Sequence, residues 1–262
     1  MSSCEPDARP DSIGTAGAAR PVINTRPWEP DQAVAAGLAV QAISKLLAKH
    51  IARNNAISPD TLFVTIGALT GFAAQYALLR DLKGRGLTPP CDEMMVVLAR
   101  DGERYFASDK LNAVLVPERP DSVSAYSLIG GAAMSHGATA GELPDCLDIF
   151  RHAIDSFGTA DFGQPRLPEG QRSWLQPRKA VEIFWPSVLT AFTREPIVPV
   201  PDYKLVEPRH WPLLLANVGV YFIGLLKPSG LAPARAVRAF MEAAIPMSKI
   251  DPATLNFSGK AN

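Results

Sequence analysis

Apolar residues recur at three- and four-residue steps over most of the chain, the period of a helix with one face in a core. From Asp31 to about Arg53, Val40, Ile43, Leu47 and Ile51 trace such a face while Lys45 and Lys49 turn away. Asn54-Asn55 supplies the stop, because asparagine tolerates the left-handed conformation that follows helix ends. A second helix is announced by Ser58 as cap, Pro59 at the first position and Asp60 at the positive end of the dipole. It runs to about Lys83, ahead of Gly84-Arg85-Gly86. Leu62, Ile66, Leu69, Tyr76 and Leu79 line one face, while Gly67, Gly71 and Ala74 leave a flat strip that lets a neighbouring helix approach closely.

Thr61 to Leu79 is nineteen residues without a charge, long enough for a membrane span. Thr65, Thr70 and Gln75 interrupt the run and its flanks lack a basic bias, so a central helix buried on most sides accounts for it better. Trp211 to Leu226 is a shorter uncharged stretch, normal for a core helix.

After Pro89-Pro90 the period changes. Met94 to Ala99 is a short, valine-containing apolar run, and Glu103 to Ala107 follows across Asp101-Gly102, the preferred pair for a two-residue hairpin turn. That turn sets Arg100 opposite Glu103, Leu98 opposite Tyr105 and Val97 opposite Phe106. Both faces of the ribbon then carry large apolar groups, so helices, further strands or a second subunit must cover it. Tyr105 and Phe106 have too few basic neighbours to read as base-stacking residues.

Further helices are expected over residues 109–116, 122–135, 144–157, 177–193, 212–226 and 233–245, with Pro186 kinking or splitting one after Trp185. The expected fold is mainly α (α+β): about seven to eight helices around a central apolar helix (about 59–83), with one β-hairpin (about 94–107). Residues 1–27 hold four prolines and almost no large apolar side chain, and are expected to form a flexible arm; residues 28–262 are expected to form a single globular domain. Prolines between Glu195 and Pro208 suggest an extended strap over that domain.

Lysine plus arginine equals aspartate plus glutamate, 26 each, so no net field draws the chain to phosphates, and nucleic acid is not an expected partner. Cys4, Cys91 and Cys146 are odd in number and never within C-x-x-C range. They fit structural thiols in a reducing compartment, and no secretory signal opens the chain, so a soluble cytoplasmic protein is expected.

The strongest polar grouping is Asp145, Asp148, His152 and Asp155, at helical steps of three, four and three opposite Leu147, Phe150, Ile154 and Phe157. A histidine among carboxylates suits a general base held in one tautomer or half of a metal site. The plainer reading is a solvated acidic face, and no H-E-x-x-H or paired-cysteine element completes a metal site, so neither metal nor cofactor is expected. Gly130-Gly131 leading to Ser135-His136-Gly137 offers a second candidate, with His136 as acid or base. Its structural reading is a helix crossing relieved by the glycines and a helix end stopped by Gly137. His50 and His210 fit helix ends, and Glu182 among apolar neighbours suits a partly buried carboxylate with a raised pKa. Packing signals without a reactive cluster favour a helical protein that binds a partner or assembles with itself into a homo-oligomer. The alternatives are an enzyme or small-molecule binder with an inter-helix pocket at His136 or the Asp148/His152/Asp155 face, and a membrane-associated protein.

Overall fold

The computed structural model describes residues 28–53, 56–119, 121–168, 172–196, 203–226 and 231–257. Among these the helices are α1 (Ala33–Ile51), α2 (Pro59–Gly84), α3 (Asp109–Leu115), α4 (Ala125–Ser135), α5 (Cys146–Asp155), α6 (Pro177–Thr193), α7 (Trp211–Leu226) and α8 (Pro233–Met247). The hairpin pairs β3 (Met95–Leu98) with β4 (Arg104–Ala107), and a minimal ladder of β1 (Ala52–Arg53) and β2 (Ala56–Ile57) links α1 to α2. The mainly helical fold with a β-hairpin is thus as the periodicity indicates. The arm expected over residues 1–27, the Asn54-Asn55 stop and residues 197–202 of the strap lie outside the described residues.

Helix α2 is the axis of the fold. Every residue from Asp60 to Gln75 is buried, because α6, α7 and α8 surround it. Its closest neighbour is α8, and the glycine strip is the reason. A Cβ at Gly67 would stand 2.1 Å from the Phe240 carbonyl oxygen, and one at Gly71 1.9 Å from that of Ala244. Only hydrogen fits, so backbone meets backbone. Both contacts advance four residues in the same direction along each helix, so α2 and α8 run parallel. They begin side by side where Arg235 grips the buried Asp60 with two guanidinium nitrogens, one of them at 2.7 Å.

By length and composition, Pro30–Ile51 and Pro59–Gly84 are both apolar enough to cross a membrane, but 83% of the second's apolar window is buried inside the protein. Protein side chains cover the surface that lipid would otherwise cover.

Three expectations about the helices need correction. α1 ends at Ile51, two residues early, because Ala52 and Arg53 pair with Ile57 and Ala56. α6 passes through Pro186 unbroken. The proline removes one N–H, but Val181, Phe184 and Trp185 before it and Val188 and Phe192 after it are all buried, so the core holds both halves in one continuous helix rather than a split pair. On α5 the buried side is Cys146, Ile149, Ala153 and the following Ser156, while Leu147 and Ile154 are exposed, 65% and 58%. The apolar face assigned to that helix was rotated away from the true one, because only one of its flanks meets α8.

The hairpin register also differs, by one residue. Leu98 faces Arg104, Val97 faces Tyr105 and Val96 faces Phe106. The Ala99 carbonyl accepts the Gly102 N–H at 3.0 Å, and the Ala99 N–H donates to the Glu103 carbonyl at 2.9 Å. The loop is therefore three residues, Arg100 to Gly102, with Gly102 at φ +87° as its left-handed closing residue. Asp101 fixes the loop by accepting the Glu103 N–H at 2.9 Å. A two-residue loop would put both central residues at positive φ, and here the glycine alone takes that strain.

Strand β4 is enclosed. Its Phe106 N–H donates to the Lys249 carbonyl at 2.8 Å, and Tyr105 bridges to Ile250 in antiparallel sense. The Tyr105 ring stacks on Phe157 at 4.1 Å, edge-on to Phe162 at 4.7 Å. Strand β3 lies outside it.

Candidate functional site

The residues singled out by sequence do not converge. His136 follows the last turn of α4, where its N–H donates to the Ala132 and Ala133 carbonyls. Gly137, at φ +107°, and Ala138 return hydrogen bonds to Met134 and Ala133, which terminates the helix with a left-handed glycine. The His136 ring packs over the backbone of Gly224 on α7 and borders none of the cavities described below. Crowding between α4 and α7 is relieved at Gly219, where a Cβ would stand 3.0 Å from Ile129, whereas Gly131 has open space around it.

The acidic face of α5 divides into separate roles. Asp145 caps the helix by accepting the Leu147 N–H at 2.9 Å. Asp148 pairs with Arg166 at 2.9 Å. His152 is half-buried and borders a cavity of about 440 Å³ together with Asp161, Gln164, Arg166, Arg172 and Gln176. Asp155 stays on the exposed surface. Only Asp148 and His152 come near a common feature, the Arg166 side of that cavity.

Arg166 is held there by a residue that sequence reading passed over. Glu242 of α8 is 1% exposed, and its carboxylate accepts from the Arg166 Nε at 3.2 Å and pairs with the terminal nitrogen at 3.0 Å. The detectable signal was an acid inside the apolar run Phe240 to Ile245. Glu182, where that signal was read, turns out the other way. Burial pushes its pKa up, but the Asn256 N–H at 3.1 Å, Lys179 at 3.0 Å and the charge of Arg178 outweigh it, and the carboxyl sits below its ordinary range.

A second polar hollow, about 360 Å³, shares Ala160, Gln164, Gln176 and Pro177 with the first. Two of its charges satisfy each other: Glu103 pairs with Arg178 at 3.3 Å and also accepts the Tyr105 hydroxyl proton at 2.7 Å. Burial, reinforced by Glu103, raises the Tyr105 phenol to about 12. A further cavity, about 590 Å³, lies between the C-terminal half of α2, α3 and the turn Pro208–His210. Its floor is Ala74, Ala77, Leu78, Leu111 and Val114, and cations stand at its rim. Most are already engaged. Glu93 binds Arg85 at 2.6 Å and Lys110 at 2.7 Å, which holds its carboxyl down near 2, and Arg209 pairs with Glu207 at 2.8 Å.

Among the described residues no group of three or more His, Cys, Asp and Glu side chains gathers as a metal site would require. Burial, with Asp145 adding to it, pushes the Cys146 thiol up to about 12, so it stays protonated at neutral pH.

Among the described residues, the outer edge of the hairpin leaves apolar side chains and backbone groups together in the open. Met95, Val97 and Leu98 are 64%, 37% and 69% exposed on four consecutive residues. β3 has β4 on one side and, among the described residues, no strand on the other. An edge of this kind presents unpaired backbone donors and acceptors beside apolar side chains, which is the template for strand addition. Comparison with models of known protein families, with curated proteins and with solved structures finds no match.

Proposed function

We propose that this protein works by binding, and that its working surface is the outer edge of β3. The observation that carries the reading is the exposed Met95-Val96-Val97-Leu98 edge on a hairpin whose other strand buries its central residues Tyr105 and Phe106. Three exposed apolar residues of four, on a strand whose outer edge has no partner among the described residues, are costly to leave in water and are normally blunted by charge, proline or a bulge. Strand addition would satisfy the backbone and cover the side chains together. The reading takes the protein to be soluble and cytoplasmic, supported by its unpaired thiols and its balanced charge.

The test uses a fluorescein-labelled, uncharged peptide of alternating valine and threonine, added to dilute protein. Saturable binding that is lost in Val96→Pro supports the edge. Absence of binding, with the Val96 and Leu98 amides exchanging hydrogen freely at every protein concentration, overturns it.

A second reading, capture of a small molecule, is favoured by the 590 Å³ cavity, whose volume lies in the usual range for ligand sites and whose floor is apolar. A thermal-shift screen with amphipathic carboxylates tests it, and a flat response across the screen would remove its support.

A further inference from the structure

We propose that the occupant of the β3 edge is a second copy of this chain, paired antiparallel so that Val97 faces the partner's Val97 across a two-fold axis. The inference rests on the binding role proposed for that edge and adds the occupant and the register. The register follows from which backbone groups are already occupied. Because the Ala99 N–H donates to Glu103, the ladder alternation turns the N–H and C=O of residues 95, 97 and 99 toward β4 and those of the even-numbered residues outward. The far side agrees: Phe106, opposite Val96, turns its N–H away from β3 to Lys249. Met94 uses its own outward groups to close a turn with Cys91, at 3.0 and 2.9 Å. Val96 and Leu98 are left with outward N–H and C=O groups and no backbone partner among the described residues.

One antiparallel register uses all of them. Val96 opposite the partner's Leu98, and the reverse, makes two hydrogen-bonded pairs that exchange about two bonds each. Val97 then meets its own copy in the intervening non-hydrogen-bonded pair, where side chains approach most closely. The four side chains of Val96 and Leu98 from both copies gather on one face, and those of Met95 and Val97 on the other.

The charges select the same direction. Asp92 precedes β3 and Arg100 follows it; both are exposed, and neither has an ion pair among the described residues. Antiparallel pairing brings Arg100 opposite the partner's Met94, beside the turn that carries the partner's Asp92. Parallel pairing sets Asp92 beside its copy and Arg100 beside its own. Four residues of edge make a contact well below the roughly 1,600 Å² of a standard interface, so the dimer dissociates on dilution.

Sedimentation equilibrium of the full chain, from low micromolar to near-millimolar concentration, reads the association. The wild type is expected to shift from monomer to dimer over that range. Val96→Pro removes an outward N–H that the monomer does not use, so it stays monomeric with its melting temperature kept. Arg100→Asp weakens association by about threefold to tenfold, and adding Asp92→Arg restores it. In a Cys4→Ser/Cys91→Ser background, Val97→Cys oxidises to a cross-linked dimer, whereas Leu98→Cys, facing the partner's Val96, does not. A wild type that stays monomeric overturns the second-copy inference, while peptide binding at the edge would leave the binding role standing. A dimer that survives Val96→Pro also overturns the second-copy inference, because it pairs elsewhere. Cross-linking through Leu98→Cys instead of Val97→Cys overturns the register.

Discussion

Replacing Gly71 by alanine tests the closest contact in the fold. The added methyl carbon would sit 1.9 Å from the Ala244 carbonyl oxygen, where ordinary contact begins at about 3.4 Å. The obstacle is backbone inside a helix and has no rotamer to adopt. α8 must therefore move away from α2 by more than an ångström, and a gap of that size forfeits a large part of the dispersion well along the shared face. Overpacking alone costs roughly 1–3 kcal/mol; with the lost packing of two buried helices we expect about 3–5 kcal/mol. That is a large share of the roughly 5–15 kcal/mol that holds a domain folded. The melting temperature should fall by about 6–20 °C. Urea and thermal unfolding followed by circular dichroism measure it. Gly37→Ala is the control. Gly37 lies on the exposed side of α1 with nothing within 4 Å of a new Cβ, so alanine there should add about 1 kcal/mol through helix propensity alone. The double variant Gly67→Ala/Gly71→Ala should cost less than the two single changes added, since one displacement of α8 accommodates both methyls. A Gly71→Ala protein within about 0.5 kcal/mol of wild type would refute the close crossing.

Arg166→Met strands the Glu242 carboxylate in the core and should cost about 3–5 kcal/mol in urea unfolding, while Arg166→Met/Glu242→Leu should recover most of it; equal losses in the two variants would refute the pairing. Lys249, 4% exposed, donates to Asn112 at 2.6 Å beneath the Phe150 ring, and burial lowers its ammonium to about 8 despite the opposing pull of Asp109. A lowered folded-state value means the cost of burying the charge is full below about 8 and is relieved as pH rises toward the unfolded value of 10.5. Wild type should therefore gain stability relative to Lys249→Met between those two pH values, by on the order of 2–3 kcal/mol, and parallel pH profiles in urea unfolding would count against it.

Much of this fold can be read from local pattern. Ser58-Pro59-Asp60 marks the start of α2, and Gly67 and Gly71 anticipate a helix packed against bare backbone, because spacing along one helix decides both. Gly137 after His136 likewise announces the end of α4. What escaped the reading depends on partners distant in sequence. Pro186 alone argues for a break, and only the buried residues on both sides of it keep α6 whole. Glu182 alone argues for a raised pKa, and it is the Asn256 N–H, 74 residues away, that helps reverse it. Leu147 and Ile154 fit an apolar stripe until α8 takes a different side of α5. The hairpin slipped by one residue because Asp-Gly suits both a two-residue and a three-residue loop, and the Asp101 carboxylate favours the longer one. Of the site residues, Asp148 and His152 were legible as a pair on one face, whereas the Arg166–Glu242 contact joins chain positions 76 apart, and the acid among the apolar residues of α8 does not by itself say which cation meets it.

The parallel union of α2 with α8 also sets an order of events during synthesis. α2 is complete at Gly84, but the backbone that fills its glycine strip does not exist until Met247. At ribosomal rates of about 5–20 residues per second, the central helix waits roughly 8–30 seconds with that strip unfilled. Earlier helices can gather around α2 in the meantime, but the nascent chain cannot close its centre until nearly all of these residues have been made.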